Sequence, residues 1–209
     1  MIFAWLQRIF GGTPSVASAK PRTTPPPPAP PTAHPAPPAQ SPIRHPSSAA
    51  TPPHYQQTNK RTPNLSPGRT IKPTHIILHH TDGAYAGSVA WCLDPVSRVS
   101  YHCIVSQLGK RTVLALPTQR TWHAGKSSWQ GRPDANSWSI GIAFEGNTYI
   151  SPPSPAAILS AVEYLLPIIE DHKIPLANLL RHADVAPGRK DDCSPAAHLA
   201  LVTALKRIV

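Results

Sequence analysis

The 209-residue sequence predicts a layered α/β or α+β domain, with one mixed β-sheet flanked by helices, behind a disordered proline-rich tail. The first observation is that 18 of the 28 prolines lie before residue 74, where no core-forming pattern is visible. The second is that the rest of the chain alternates apolar runs of strand length with helical patterns. We therefore place a single domain at residues 74–209, which is long enough to bury a core.

The first 73 residues divide into two segments. Residues 1–12 form a short amphipathic start, in which Ile2, Trp5 and Ile9 follow helical spacing. Its apolar run is too short for a signal peptide or a membrane span. The alternatives are an interfacial segment that contacts a membrane or a protein, and an unstructured start. Residues 13–73 are rich in Pro, Ala, Ser and Thr, and we expect an extended linker that is dispensable for chemistry.

The predicted sheet draws its strands from three stretches of the domain. The apolar run His75–His79 has the composition of a buried strand. Ser100–Ser106 and Thr112–Leu116, on either side of a turn at Gly109, predict a hairpin. Ser139–Glu145 alternates between larger apolar side chains and smaller or polar ones, which predicts a further strand.

Helices are predicted at three places around these strands. Ala86–Leu93 favours a short helix. Ser154, followed by Pro155 in the first helical position, indicates the start of a second helix, with a kink expected at Pro167. A last helix is predicted at Pro195–Val209. The second helix is expected to bury Ile158, Leu159, Val162, Leu165, Leu166 and Ile169, and the last carries Leu201, Val202, Leu205 and Ile208 on one stripe.

Charge and cysteine content restrict the function classes. The formal net charge of +10 suits an anionic partner such as nucleic acid, acidic lipid or cell wall. Nucleic acid is the weakest of these, because basic and aromatic residues are not interleaved. The three cysteines, Cys92, Cys103 and Cys193, do not indicate a disulfide scaffold, and buried free thiols are expected.

The stretch Arg181–Pro195 gathers groups that can bind a metal. Between its glycine and prolines it carries His182, Lys190, Asp191, Asp192 and Cys193. Such a loop can close a zinc site, but it needs another ligand from a rigid element. The candidate is His79 at the end of the first strand; His80 points to the opposite face, so only one of the two can face a given site. Two histidines, a carboxylate and an open fourth position are typical of catalytic zinc, which lowers the pKa of its water to about 7.

Four segments together resemble the zinc-dependent N-acetylmuramoyl-L-alanine amidases, a family of phage amidases, bacterial cell-wall-recycling amidases and animal peptidoglycan recognition proteins. They are Ile76–Thr81, Val99–Val105, the stretch from Trp122-His123-Ala124-Gly125 to Ile142, and His182–Pro195 with its His-x7-Lys-x-Asp spacing. The resemblance begins at about residue 75. It implies a mixed central sheet flanked by helices, a bound Zn²⁺, and hydrolysis of the amide between the lactyl group of N-acetylmuramic acid and L-alanine by zinc-activated water.

The resemblance also implies roles for individual residues. His79, His182 and Asp192 correspond to the zinc ligands. Lys190 corresponds to the lysine that faces the scissile carbonyl, where a cation can stabilise the oxyanion by about 3 kcal/mol. Tyr101 stands where phage and animal members carry a catalytic tyrosine, although an aromatic residue that only fills a strand face is the alternative. The segment most similar to the recycling amidases assigns substrate binding to Trp122, His123, Arg132 and Asn136.

Two positions depart from the pattern of the recycling amidases. Ala143 stands where those enzymes use a glutamate, and alanine cannot take up a proton. Glu145 shares the face of Ala143 and is a reserve base, or else a structural carboxylate. Cys193 follows Asp192, and other members use cysteine as the third ligand; the Lys-x-Asp spacing favours Asp192.

The sequence leaves several alternatives open. The protein is predicted to be an amidase, with a non-catalytic peptidoglycan-binding module as the alternative. The proline-rich tail favours action on polymeric wall at the cell envelope, whereas the segment Trp122–Arg132 favours soluble muropeptides. We expect a monomer that binds peptidoglycan or its fragments and no nucleic acid. A bacterial enzyme and a phage lysis enzyme (an endolysin) fit equally well.

Overall fold

A six-stranded mixed β-sheet organises the computed structural model, which describes residues 55–208. The strands are β1 (Gln57–Asn59), β2 (Leu65–Thr70), β3 (His75–His80), β4 (Cys103–Val105), β5 (Arg111–Val113), β6 (Gln119–Thr121), β7 (Ser128–Trp129), β8 (Arg132–Pro133), β9 (Ser139–Phe144) and β10 (Leu179–Arg181). The main sheet has the order β1-β5-β4-β9-β3-β10. Only the β4–β5 pair in it is antiparallel. Two small antiparallel pairs, β2–β6 and β7–β8, lie outside this sheet.

Helices flank the sheet, as the sequence predicted. The α-helices are α1 (Tyr85–Leu93), α2 (Pro155–His172), α3 (His182–Val185) and α4 (Pro195–Leu205). Three short 3₁₀ turns lie at Pro95–Ser97, Ala135–Ser137 and Leu176–Asn178. The predicted cap is confirmed, because the Ser154 hydroxyl accepts a hydrogen bond from the Ala157 N–H at 3.0 Å. Within the part of the chain that the structure describes, no helix combines the length and apolarity needed to cross a membrane.

The apolar stripe of α2 was predicted with one error. Ile158, Val162, Leu165 and Ile169 are buried in the main core, as expected, but Leu159 is 48% exposed. Leu159 lies four residues after the exposed Pro155, on the outer stripe of the helix, so its side chain projects away from the core. In the last helix Leu201 and Leu205 are buried, whereas Ile208 lies beyond the helix end and is exposed.

The predicted boundary between linker and domain at residues 73 and 74 is wrong. Strand β1 pairs in parallel with β5 at the edge of the main sheet, and β2 pairs with β6. Between them Asn64 is buried, and its side-chain amide donates to backbone oxygens of Asp94 and Val99. Both strands are short and mostly polar, and β2 contains Pro67, so composition does not reveal them; backbone pairing with β5 and β6 holds them in place. The predictions for residues 1–12 and for the linker up to residue 54 lie outside the described residues.

The two faces of β3 contact different surroundings. Ile76 and Leu78 belong to the main apolar core with α2 and α4. Ile77 packs in a second cluster with Trp138, Leu180 and other residues, on the side towards which His79 also points. The candidate site lies on this second side.

Candidate metal centre

Two of the predicted metal ligands come from the carboxyl ends of adjacent parallel strands. His79 lies near the end of β3, and His182 directly follows β10. Arg181 pairs with Leu78, so the next residue on each strand brings the two histidines side by side. The carboxyl ends of parallel strands are where α/β sheets place their ligand sites.

Asp192 reaches the same point from the loop that follows α3. The Ala183 N–H donates to the Asp192 carbonyl oxygen at 2.7 Å, which ties the two ends of the loop together. On the far side, the Ser194 N–H donates to the Thr148 hydroxyl at 2.8 Å, and the Ser194 hydroxyl accepts from the Ala197 N–H at the start of α4. The loop is therefore anchored on both sides of the carboxylate.

The three side chains converge on one point. The Nδ1 atoms of His79 and His182 are 3.0 Å apart. The Asp192 carboxylate lies 3.1 Å from the Nδ1 of His79 and 3.0 Å from that of His182. All three residues are buried. Zinc bonds of about 2.0–2.1 Å in a tetrahedral site place donor atoms roughly 3.3 Å apart, so this donor set fits zinc in both chemistry and spacing.

The protonation states of the cluster suit a cation. Burial, and after it the neighbouring His182, lower the pKa of His79 to about 4, against the opposing effect of Asp192. Burial alone would raise the pKa of Asp192, but the adjacent His182 and His79 rings hold that pKa well below its usual range. The cluster therefore offers a neutral imidazole and an anionic carboxylate at neutral pH.

His80 points to the other face of β3, which confirms that only one of the two neighbouring histidines can face the cluster. Its Nδ1 lies 3.0 Å from the Thr148 hydroxyl and its Nε2 lies 3.1 Å from the Asp82 carboxylate. His79 is the member of the pair that faces His182.

Cys193 is also directed away from the cluster. It is fully buried in the main apolar core, and burial raises the pKa of its thiol to about 12. A thiol must lose its proton to bind zinc. Asp192 and Cys193 thus face opposite surroundings, and the structure brings the carboxylate to the histidines. Each of the three cysteines is free and buried.

The cluster opens into a cleft of about 380 Å³. Tyr101 lines it, with its ring centroid 5.1 Å from that of His79, and burial raises the pKa of its phenol. Lys190 lines the cleft as well and is exposed. The two residues predicted to act beside the metal are therefore both at the cleft wall.

Glu145 is not brought into the cleft. One carboxylate oxygen accepts a hydrogen bond from the Tyr85 N–H at 2.8 Å, at the start of α1. The other accepts from the Gln107 N–H at 2.8 Å, in the hairpin loop. The residue after the end of a strand can turn away from the strand's face, and here Glu145 ties two loops together. These contacts fit a structural carboxylate, which was the alternative prediction for Glu145. They do not fit the prediction that it is a reserve base.

The four residues predicted to bind substrate divide into two pairs. Trp122 and His123 line the cleft. Asn136 is buried behind it, where its side-chain oxygen accepts hydrogen bonds from the His123 and Ala124 N–H groups at 3.0 and 2.8 Å. Arg132 lies over the Trp138 ring at 5.0 Å and donates to the Thr74 hydroxyl, and it is not among the cleft residues. Motif similarity located the segment, but it could not separate the residues that line the cleft from those that lie behind it or outside it.

Trp91, Arg98 and Arg189 are among the cleft residues that were not predicted. Trp91 is 55% exposed on α1, and Arg98, which follows the first 3₁₀ turn, has a left-handed backbone with φ 53°. Arg189 donates to the carbonyl oxygens of Lys126 and Ala124 at 3.1 and 2.5 Å. The only sequence signal for the two arginines was the overall basic charge, because no local spacing marks them.

A mixed sheet that carries a buried cluster of two histidines and one carboxylate at its strand ends is typical of a metal-dependent hydrolase. Comparison with known proteins gives the family. Residues 69–195 match the model of the N-acetylmuramoyl-L-alanine amidase family, and the chain belongs to this family.

Individual relatives agree with this assignment. The chain is 35% identical over 135 residues to the N-acetylmuramoyl-L-alanine amidase AmiD of Escherichia coli K12, which is 57% of this chain and 48% of that protein. It is 38% identical over 100 residues to the 1,6-anhydro-N-acetylmuramyl-L-alanine amidase AmpD of the same organism, which is 47% of this chain and 54% of that protein. The chain thus spans about half the length of these curated relatives.

Solved structures confirm the predicted fold. AmiD in complex with anhydro-N-acetylmuramic acid-L-Ala-D-γ-Glu-L-Lys superposes with a TM-score of 0.59 and 27% identity, covering 68% of this chain and 60% of that chain. A selenomethionine derivative of AmpD gives a TM-score of 0.59 and 24% identity, with coverage of 72% and 93%. At this lower identity the second match shows the fold alone.

Proposed function

We propose that this protein is a zinc-dependent N-acetylmuramoyl-L-alanine amidase, which hydrolyses the amide between the lactyl group of N-acetylmuramic acid and L-alanine. The observation that carries the proposal is the convergence of two histidine Nδ1 atoms and one carboxylate, within 3.0–3.1 Å of one another, at the base of a cleft. The family membership gives the scissile bond its identity. The complete ligand set gives no support to the alternative of a binding module without activity.

His79, His182 and Asp192 would hold the metal. When bound, zinc lowers the pKa of a water ligand to about 7 and polarises the substrate carbonyl. The chain's own contribution at this point is a rigid, buried set of donors whose anionic member offsets part of the metal charge. Cys193 has no part in this set, because its thiol lies in the apolar core.

Lys190 and Tyr101 are proposed to act on the reacting atoms. The Lys190 ammonium group stabilises the oxyanion that forms as the amide carbon becomes tetrahedral, an interaction commonly worth about 3 kcal/mol. A phenol keeps its proton at neutral pH, and burial raises the pKa of Tyr101 still further, so it serves as a hydrogen-bond donor and not as a base. Ala143 pairs with His79 across β3 and β9 and cannot exchange a proton. The phenol therefore has the positioning role next to the cluster.

The charge of the cleft supports an anionic substrate. Arg98, Arg189 and Lys190 line it, against the carboxylates of Asp82 and Asp192. Asp82 is engaged by His80 and by the Asn147 amide, and Asp192 by the two histidines. A stem peptide carries free carboxylates, which suits this surplus of cations. We propose soluble muropeptides or peptidoglycan as the substrate class and the cell envelope as the place of action.

Two measurements test the proposal on the full-length protein. Zinc content is determined after dialysis, and release of L-alanine peptides is followed from soluble anhydro-muropeptides and, separately, from intact sacculi. We expect one zinc per chain and peptide release from at least one substrate, with none from His182→Ala. Zinc binding without release from either substrate would reject the amidase. Release by a zinc-free His182→Ala protein would reject the metal site.

A further inference from the structure

We propose that the dipeptide His123-Ala124 orients both histidine ligands of the metal site, and that His123 is a positioning residue which fixes the tautomer of His79. This inference rests on the proposed metal site and reassigns His123, which sequence similarity had placed in substrate binding. The Ala124 carbonyl oxygen lies 3.1 Å from the Nε2 of His182. The Nδ1 of His123 lies 3.0 Å from the Nε2 of His79.

Hydrogen-bond direction can be followed inward from a group that can only accept. The Ser139 hydroxyl donates to the Ala135 carbonyl oxygen at 2.6 Å. The same hydroxyl oxygen lies 3.4 Å from the Nε2 of His123, so with its own proton committed it accepts from that nitrogen. A neutral His123 with its proton on Nε2 has a bare Nδ1. That nitrogen accepts from the Nε2–H of His79, and the Nδ1 lone pair of His79 is left to face His182 and Asp192.

The two ligands are oriented in different ways. His182 donates directly to the Ala124 carbonyl oxygen, which can never be a donor, and the nearby Arg189 donates to the same oxygen, so this contact fixes the tautomer of His182. His79 donates to an imidazole, which could in principle present a proton instead. With the proton on its Nδ1, His123 would oppose the Nε2–H of His79 across 3.0 Å, and His79 would have to move its own proton to the metal side. The orientation of His79 therefore depends on the state of His123.

The backbone of strand β9 leaves room for this ring only because residue 141 is glycine. A Cβ atom added at Gly141 would lie 2.5 Å from the Cγ and 2.7 Å from the Nδ1 of His123, well inside contact distance. His123 is buried, with 5% of its surface exposed. A ring that is pressed against the backbone and almost enclosed has little freedom to rotate towards a substrate.

The dipeptide is itself held from behind by one side chain. The Asn136 side-chain oxygen accepts from both the His123 and the Ala124 N–H groups, at 3.0 and 2.8 Å. Arg189 also donates to the Ala124 carbonyl oxygen, from the loop that carries Asp192. The segment 135–139 thus fixes the dipeptide, and the dipeptide orients the ligands. Outer partners of this kind typically change metal affinity 10- to 100-fold when they are removed.

The wild type gives the first test, because it needs no substitution. Long-range ¹H–¹⁵N correlation spectra of the full-length, zinc-loaded protein report which imidazole nitrogens carry protons. We expect His79 to be protonated on Nε2 only, and His123 to be protonated on Nε2 with a bare Nδ1. Protonation of His123 on Nδ1, or a His79 that binds zinc through Nε2, would overturn the inference. A wild type that takes up no zinc would overturn the metal site and this inference with it.

Variants test the effect on affinity, with zinc dissociation constants measured by competition with a chromogenic chelator. We expect His123→Ala to bind zinc about 10- to 100-fold more weakly, and His123→Asn to stay within about threefold of wild type because its amide oxygen replaces the accepting Nδ1. His102→Ala is the matched control: its ring is also buried and lies 6.0 Å from the His123 ring, but its partners are Gln119, Thr121 and Gly141. It should lower the melting temperature without changing the dissociation constant.

The outcomes separate a positioning role from a structural one. Unchanged zinc affinity in His123→Ala would overturn the inference while the metal site stands. Equal losses in His123→Ala and His102→Ala would also overturn it, because they would indicate a general loosening of the fold. Weak zinc binding by His123→Ala together with near-wild-type zinc binding by His123→Asn supports the proposed hydrogen bond.

Discussion

The two faces of strand β3 are built by different physical rules, although their residues alternate along one chain. On one face Ile76 and Leu78 pack against α2 and α4, and apolar burial of such side chains contributes about 1.5–3 kcal/mol each. On the other face His79 is equally buried but lies among His123, His182 and Asp192. The first face stabilises the fold, and the second holds polar groups at a cost that only correct partners offset.

Substitutions on the two faces should therefore affect different properties of the protein. Loss of a side chain on the apolar face creates a cavity and changes the free energy of unfolding. Loss of a polar group on the other face removes a hydrogen-bond partner of a metal ligand. Metal affinity and turnover should therefore change more than the stability of the fold does. Because successive residues of a strand point to opposite faces, a residue of the apolar face and a residue of the polar face are direct neighbours in the sequence.

The largest expected effect is the contrast between a ligand and a core residue. His182→Ala should abolish turnover and remove the metal-linked part of the stability, about 2.7 kcal/mol at a zinc concentration 100 times the dissociation constant. Leu165→Ala, fully buried in α2 on the apolar side, should cost about 2–5 kcal/mol and leave zinc content unchanged. Zinc analysis and thermal unfolding with and without a chelator measure both. A Leu165→Ala protein that folds but has lost its zinc would show that the two faces are not separable.

The next effect concerns two neighbouring residues that face opposite sides. Asp192→Ala should lose zinc and activity, because it removes the anionic donor beside both histidines. Cys193→Ser should keep both and cost about 1–3 kcal/mol, since it buries a hydroxyl in the apolar core. X-ray absorption at the zinc edge is the direct measurement. A zinc–sulfur distance of about 2.3 Å in the wild type would contradict the assignment.

The sequence predicted the apolar face better than the polar one, for a physical reason. Helix caps such as Ser154, the strand at His75 and the hairpin follow from local periodicity and turn chemistry. The ligands were reached through one loop and a family resemblance. The partners behind them were not, because the contact of His123 with His79 spans 44 positions and that of Asn136 with the dipeptide depends on backbone geometry. No local pattern encodes such contacts.

The edge of the sheet was missed for the opposite reason. Strand β1 contributes backbone pairing and no apolar pattern, so composition placed it in the linker. Glu145 shows the same limit, since its strand position suggested a base while its carboxylate accepts from one N–H group at the start of α1 and one in the hairpin loop. Periodicity predicts which way a side chain points inside a strand, and it fails at the residue where the strand ends.

Truncation should distinguish this edge from the two faces. A protein that begins at Lys72 loses β1, β2 and the buried Asn64, so several buried hydrogen bonds, each worth about 0.5–1.5 kcal/mol, are removed. We expect a lower melting temperature, in place of the unchanged behaviour that the linker prediction implied. A protein that begins at residue 55 should cleave soluble muropeptide at the full-length rate. Equal melting temperatures for the two would restore the original boundary at residue 74.

The last expected effect is a pH dependence that comes from His102, a buried histidine outside the ligand set. Its Nδ1 accepts from the Gly141 N–H at 3.0 Å and its Nε2 donates to the Gln119 carbonyl oxygen at 2.9 Å. Burial lowers its pKa to about 4, and the hydrogen bond to the Gln119 carbonyl oxygen opposes this only in part. Because the unfolded chain titrates near 6.5, the unfolded state binds the proton first as the pH falls.

The contribution of His102 to stability is therefore complete above about pH 6.5 and is lost as the pH falls towards 4, by at most about 1.4 kcal/mol per pH unit. In His102→Asn the amide oxygen can still accept from Gly141 but takes up no proton. Urea unfolding of the metal-free proteins at several pH values gives the free energy of unfolding as a function of pH. The slope of this dependence should be shallower for the variant than for the wild type. Since His79 and His123 also have lowered pKa values, the difference between the two slopes, and not either slope alone, measures His102. Parallel curves would show that this buried imidazole does not titrate with unfolding.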